Sequence, residues 1–137
     1  MAIETIITQV AVLQTEITGV KQAHANPPAS LNAFPCFVNF IAPSDINYMP
    51  SRRETRHVIK MQLYVSKQVT PEGDKILREF VDKTLNKFDQ NIQLNATCAY
   101  SQVTHYDPGV LTYGGHQYLG ISFDLLAVEL QSRSFGV

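Results

Sequence analysis

TRHVIKMQLYVS, residues 55–66, decides the fold. Ile59, Met61, Leu63 and Val65 fall on one side of an extended chain, and Val58, Lys60, Gln62 and Tyr64 on the other. That period of two belongs to a β-strand with one face in a core. Upstream, FPCFVNFI (34–41) is aromatic and β-branched and reads as a second strand, its proline near the start, where a missing ladder donor does least harm. Downstream, residues 116–130 form a long strand: Leu119, Ile121, Phe123, Leu125 and Ala127 mark one face, and the other begins Tyr118, Gly120, Ser122, Asp124, then turns apolar at Leu126, Val128 and Leu130. Residues 97–106 (TCAYSQVTHY) read as a partly exposed strand.

Two helices complete the set. Residues 3 to about 24 carry Ile3, Ile6, Ile7, Val10, Leu13, Ile17 and Val20 at three- and four-residue steps, and Asn26-Pro27-Pro28 stops them. The second helix is capped by Thr70, has Pro71 in its first position, Glu72 and Asp74 near its positive end and Lys83 and Lys87 near its negative end. Ile76, Leu77, Phe80, Val81, Leu85 and Phe88 form its stripe, Glu79 and Lys83 can pair, and Asn91 terminates it. Residues 42–56 and 107–117, rich in Pro, Gly, Asp and Asn, read as two long loops.

The expected architecture is therefore α/β of the α+β type, one domain over residues 1–137. Its order is helix-strand-strand-helix-strand-strand: a four-stranded, mainly antiparallel sheet with both helices packed on one face. The other face then shows water Val58, Tyr64, Leu126, Val128 and Leu130, a patch that another chain is expected to cover. Composition agrees. With 137 residues, 45% apolar and 17% charged, the chain is too apolar for disorder and carries few charges for a small domain's surface. A net charge of −1 gives no basic field for nucleic acid. No apolar run reaches the roughly 20 residues of a membrane span, and the N-terminal stretch lacks a basic region and cleavage site, so cytoplasmic synthesis is expected.

No arrangement of residues announces chemistry. His105, Asp107 and His116 are expected to approach across the mouth of a final hairpin, the one place where a small enzyme or ligand-binding domain could cluster acid–base or metal-binding groups. Exposed histidines at loop ends are the plainer reading. Cys36 and Cys98 have no motif and read as small buried apolar residues. Asn95-Ala96-Thr97 fits a glycosylation acceptor, a chance match without secretion. Gly114-Gly115 is a turn, lacking the helix and lysine of a phosphate loop. Asp124 and Glu129 face opposite sides of one strand. Arg52, Arg53 and Arg56 form a basic cluster suited to an acidic protein surface or to phosphates, and Tyr48, Tyr106, Tyr113 and Tyr118 sit in or beside the long loops, where interface tyrosines are common.

The opening helix, FPCFVNF, the arginine-led RHVIKMQLYVS, TPEGDKILREFVDKTL and the closing VLTYGGHQYLGISFDLLAVEL together resemble the tail terminator, or tail completion, proteins of long-tailed bacteriophages. The similarity is one of pattern and spans most of the chain. It implies a virion structural protein of the tail and neck, made in the host cytoplasm: a homohexameric ring that ends tube polymerisation and joins the tail to the head-side connector. The implied partners are other copies of the chain, the tail tube protein and the head-completion or connector protein. DNA passes the lumen without sequence-specific binding. No catalytic residue, cofactor, metal or membrane contact is implied. Tyr48, Arg52, Arg53, Arg56, Tyr113, His116, Leu126 and Val128 are the expected interface residues. Another neck or minor tail subunit is the alternative within the same class.

Overall fold

The computed structural model describes residues 2–67 and 71–134. Along the chain run α1 (Ala2–Thr15), β1 (Gln22–His24), β2 (Cys36–Met49), β3 (Arg52–Ser66), α2 (Pro71–Asp89), β4 (Tyr100–Tyr113) and β5 (His116–Ser132). The sheet order is β1-β2-β3-β5-β4. β1 pairs parallel with β2, and every other pair of neighbours is antiparallel. The class is α+β, as expected, with five strands in place of four. β2–β3 and β4–β5 are hairpins, and α2 carries the chain from β3 to β4 with β5 between them.

The alternation at residues 58–65 does what its period requires. Ile59, Met61, Leu63 and Val65 join Leu119, Ile121, Phe123, Leu125 and Ala127 of β5 in one buried cluster, closed by Ile6, Val10 and Leu13 of α1 and Leu77, Phe80 and Phe88 of α2. Both helices thus cover the same face. Each large side chain removed from water there contributes about 1.5–3 kcal/mol. One polar pair is built into this layer. Gln14 Nε2 donates to Asn39 Oδ1 and Asn39 Nδ2 to Gln14 Oε1, both at 2.8 Å, and Asn39 Nδ2 also reaches the His24 carbonyl at 3.0 Å. The pair fixes α1 and β1 against β2, because buried amides without partners are costly.

Four expectations are corrected. First, α1 stops at Thr15, well short of residue 24. Glu16 and Ile17 close the helix with three-residue hydrogen bonds to Leu13 and Gln14, and Gly19 turns the chain at φ +99°. Ile17 is buried all the same, so the apolar periodicity reported burial where the helix had already ended. Second, the freed segment supplies β1, the strand the sequence did not announce.

Third, the two long loops are strands. Residues 42–49 and 52–56 extend the first hairpin to a turn at Pro50-Ser51, and residues 107–113 and 116–117 extend the second to Gly114-Gly115. Pro43 and Pro108 read as loop residues, but both lie on edge strands, where the missing N–H breaks no ladder. A bulge between Ala42 and Asp45 takes up the irregularity around Pro43; a second lies between Val103 and His105. The β2 strand itself begins one residue after Pro35.

Fourth, the face away from the helices is an open apolar patch only in part: Leu130 is 48% exposed and Val58 half-buried, while the rest is covered. Tyr64 is fully buried, Leu126 is 9% exposed and Val128 only 2%. At one end Leu31 and Phe34, from the segment between β1 and β2, pack with Cys36, Val38, Tyr64, Leu111, Tyr113 and Tyr118. At the other end Arg56 and Tyr100 flank Val128 in register, and Arg56 Nη1 donates to the Tyr100 hydroxyl at 3.4 Å across it. A polar band with the Lys60–Asp124 ion pair (2.9 Å) separates the two ends. Local tertiary cover buries Tyr64, Leu126 and Val128 and leaves Leu130 open.

In α2, Asp74 pairs with Arg78 at 2.8 Å, while Lys83 donates to the Thr18 carbonyl at 3.2 Å and lies over the Phe80 ring instead of pairing with Glu79. Asn91 closes the helix by donating its side-chain amide to the Lys87 carbonyl at 2.7 Å. The expected cap Thr70 lies outside the described residues.

Candidate functional site

The alternative acid–base cluster of His105, Asp107 and His116 does not assemble. In the β4–β5 ladder His105 stands opposite Asp124, Asp107 opposite Ser122, and His116 opposite Tyr113. His105 and His116 are therefore eight strand positions apart, roughly 26 Å at about 3.3 Å per residue. The long loop whose ends were to bring them together is a ladder that holds them apart. Among the described residues no group of three or more His, Cys, Asp or Glu side chains could hold a metal ion. Burial pushes the Cys36 and Cys98 thiols up to about 11, which favours the unreactive protonated form, in keeping with their reading as apolar fillers. Asp124 and Glu129 do face opposite sides: Asp124 bonds Lys60, and Glu129 bonds His57 Nε2 at 3.1 Å on the helix side.

The expected interface residues divide between two purposes. Leu126, Val128 and Tyr113 serve the chain's own packing. Tyr113 meets Tyr64 edge to face at 5.6 Å and its hydroxyl donates to the Pro28 carbonyl. Arg56 bonds Glu54 at 3.2 Å besides Tyr100. Tyr48, Arg52 and Arg53 lie at the turn end of the β2–β3 hairpin, and His116 is exposed at the turn of the other.

That first turn end is the most distinctive surface of the molecule. Arg53 pairs in register with Tyr48 and Gln131, and its guanidinium donates to Gln131 Oε1. Arg52 Nε donates to the Met49 sulfur, at 3.4 Å. The fold adds a third cation that the sequence cluster did not include: Arg133, just past β5, donates to the Met49 carbonyl at 2.7 Å and lies 4.8 Å over the Tyr48 ring. Among the described residues no ion pair engages Arg52, Arg53 or Arg133. Arg53 Nε is buried and has no acceptor. Beside it, Ile3, Ile46, Thr55, His57, Glu129 and Gln131 line an open cleft of about 610 Å³. No spacing rule points to residue 133; only the register of β5 against β3 carries it there.

Both sheet edges are long and bare. β1 covers β2 only from Cys36 to Val38, so the remainder of the strand, Asn39 to Met49, has an unpaired outer side. Among the described residues no strand pairs with the outer side of β4 along its 14 residues. Neither strand contains a lysine or arginine, the residues that commonly keep an edge from pairing with another chain. Large apolar side chains stand beside both: Ile41 (71% exposed), Ile46 and Tyr48 on β2, and Tyr106 and Val110 on β4. All five share a face with the helices, by register with Ile59, Thr55, Arg53, Phe123 and Leu119 respectively. No protein-family model matches the chain, and no curated protein shows significant similarity to it.

Proposed function

We propose that this chain is a structural subunit whose work is assembly: a component of a long-tailed phage's tail and neck that builds a ring on the end of the tail tube, ends its polymerisation and presents a surface to the head-side connector. The single observation that carries the reading is the pair of hairpins that outrun the helices. They leave two sheet edges without lysine or arginine, flanked by exposed isoleucine, valine and tyrosine. A monomer gains nothing from such edges and risks aggregation through them. A subunit gains main-chain hydrogen bonds and apolar contact from the same atoms. The low charge content and the overall pattern of the sequence support the same conclusion, and the uncompensated arginines at the β2–β3 turn suit an acidic protein surface.

The decisive measurement is solution mass by sedimentation or light scattering, alone and with purified tail tubes, followed by negative-stain imaging. A ring, free or seated on one tube end, is expected. A monomer that leaves tubes unbound and still growing overturns the reading. Charge reversal at Arg53 or Arg56 is expected to weaken ring formation on the order of ten-fold or more, beyond any loss of folding stability from breaking their contacts to Gln131, Glu54 and Tyr100. Ring formation unaffected in both variants excludes these residues as contacts.

A further inference from the structure

We infer that the cleft beside Arg53 receives one acidic side chain of a partner protein, an Asp or Glu carboxylate that takes the place of the Gln131 amide on the Arg53 guanidinium. This rests on the reading of the chain as an assembling subunit and names the chemistry of one of its contacts. Register builds the site. Ile46, Thr55 and Glu129 stand level across β2, β3 and β5, as do Tyr48, Arg53 and Gln131, all on the side of the sheet that the helices share. Of the two helices only α1 borders the cleft of about 610 Å³, through Ile3 in its first turn.

The state of the Arg53 guanidinium points to the ligand. Its Nε and Nη2 form one edge of a planar fork that matches the two oxygens of a carboxylate. Nη2 donates to Gln131 Oε1, while Nε on the same edge is buried without an acceptor. A buried donor left unpaired is costly, and each such group calls for a reason. A single amide oxygen fills half of an edge that a carboxylate fills whole. Gln131 is exposed, so its amide can swing aside and open Nε to the cleft. No carboxylate of the chain does the work instead. Glu129 stands diagonal to Arg53 on the same face, yet it turns to His57 Nε2 at 3.1 Å and makes no ion pair with Arg53. Asp45 and Glu54 face the other side of the sheet, level with Arg56 and Leu130, and Glu4 lines the separate cleft between α1 and β2.

The rest of the cleft favours a protein carboxylate over a phosphate. Glu129 lies in the same cleft and Glu4 is next to Ile3 in the first turn of α1, so a doubly charged phosphate meets more repulsion than a singly charged carboxylate. Ile3 and the exposed Ile46 give the walls apolar surface, which suits the stem of a glutamate or an apolar neighbour of the acid and offers nothing to a nucleic-acid backbone. At the rim the exposed Tyr48 lies 4.8 Å beneath the Arg133 guanidinium. Tyrosine and arginine together are the side chains enriched where proteins meet.

The test follows the Arg53 Nε–H resonance of the nitrogen-15-labelled full chain during titration with an acetylated and amidated leucyl-glutamate dipeptide, with leucyl-glutamine in the same form, and with inorganic phosphate at matched ionic strength. A saturable shift is expected with the acidic dipeptide, and binding about ten-fold weaker with the other two. Gln131→Glu sets a carboxylate of the chain itself on the fork: it is expected to raise Tm, to weaken dipeptide binding about ten-fold, and to impair ring formation or tube capping. Arg53→Lys keeps the charge without the fork and is expected to lose the dipeptide to the same extent; should it not fold, Gln131→Glu decides alone. Equal binding of both dipeptides means an apolar cleft only, and stronger binding of phosphate means a phosphate site; either overturns the inference. So does a wild type whose Arg53 signal stays fixed, or a Gln131→Glu chain that binds the dipeptide or assembles as the wild type does. The dipeptide titration needs no assembly, so wild-type chain that stays monomeric alone and with tail tubes fails the assembly reading separately.

Discussion

The two hairpins are built alike and held differently. Each pairs an outer strand carrying a proline and a bulge with an inner strand buried in the sheet, and each ends in a tight turn. The β4–β5 hairpin is anchored by aromatic packing: Tyr113 and Tyr118 meet Tyr64 edge to face, Tyr118 stacks on Phe34, and the Tyr113 hydroxyl donates to the Pro28 carbonyl. The turn end of the β2–β3 hairpin is held by polar contacts, guanidinium groups on Gln131, a sulfur, a carbonyl and a tyrosine face. One end of the sheet is thus finished within the chain. The other keeps unspent charge and exposed apolar surface, which is what an interface needs.

The largest expected effect tests the finished end. A Cβ on Gly120 would come 2.2 Å from the Leu63 carbonyl oxygen and 2.9 Å from Leu111 Cδ1, and main chain in a ladder cannot yield. Gly120→Val is expected to cost about 3 kcal/mol and to lower Tm by roughly 10 °C in thermal melting. An unshifted Tm would show that the aromatic anchor does not depend on this close approach.

Next comes the base of the other hairpin, where Asn39 is held by Gln14. Gln14→Leu strands a buried amide and is expected to cost about 1–3 kcal/mol in urea titration. Adding Asn39→Leu should recover part of that loss, and a strictly additive double variant would mean the two amides are not coupled.

A smaller change, of opposite sign, concerns the approach to β4. Leu94, Asn95 and Ala96 all have positive φ, at 48°, 56° and 64°, a left-handed turn closed by hydrogen bonds from the Thr97 and Cys98 amides to the Gln93 carbonyl. Leu94 is fully buried and Asn95 donates to Gln9 Oε1 at 2.8 Å, so the turn is held from both sides. Ala96 is exposed and has no side-chain polar group to hold, and Ala96→Gly is expected to raise stability by up to about 1 kcal/mol. A fall in Tm would mean its methyl group packs.

A pH dependence is centred on the aromatic anchor. Burial holds the Cys36 thiol up at about 11 and raises the Tyr64 and Tyr113 hydroxyls above their usual range; Cys98 shares the shift. Between pH 9 and 11 the unfolded chain therefore gives up protons that the folded chain keeps. Stability is full below pH 9 and falls as pH rises through that window. Denaturant midpoints across it should decline, and less steeply in Cys36→Ala; a flat profile would contradict the burial of these groups.

The sequence determined this protein's central layer by itself. The period of two at residues 58–65 and 119–127 and the stripes of α1 and α2 select core faces through the geometry of strand and helix, whatever the neighbours do. What came next to what was decided in three dimensions. Pro43 and Pro108 are compatible with a loop or an edge, and only their place at the rim of the sheet made them edge residues. Val128 is apolar in any context, but its place between Arg56 and Tyr100, 44 residues apart, came from the register, and there it is buried. His105 and His116 share a chemistry, yet the ladder between them set their distance. Arg133 joined Arg52 and Arg53 because β5 runs antiparallel beside β3. Pattern along a chain reports which side of an element is buried; it carries no information on which distant element does the burying, because that depends on register, and register is a property of pairs.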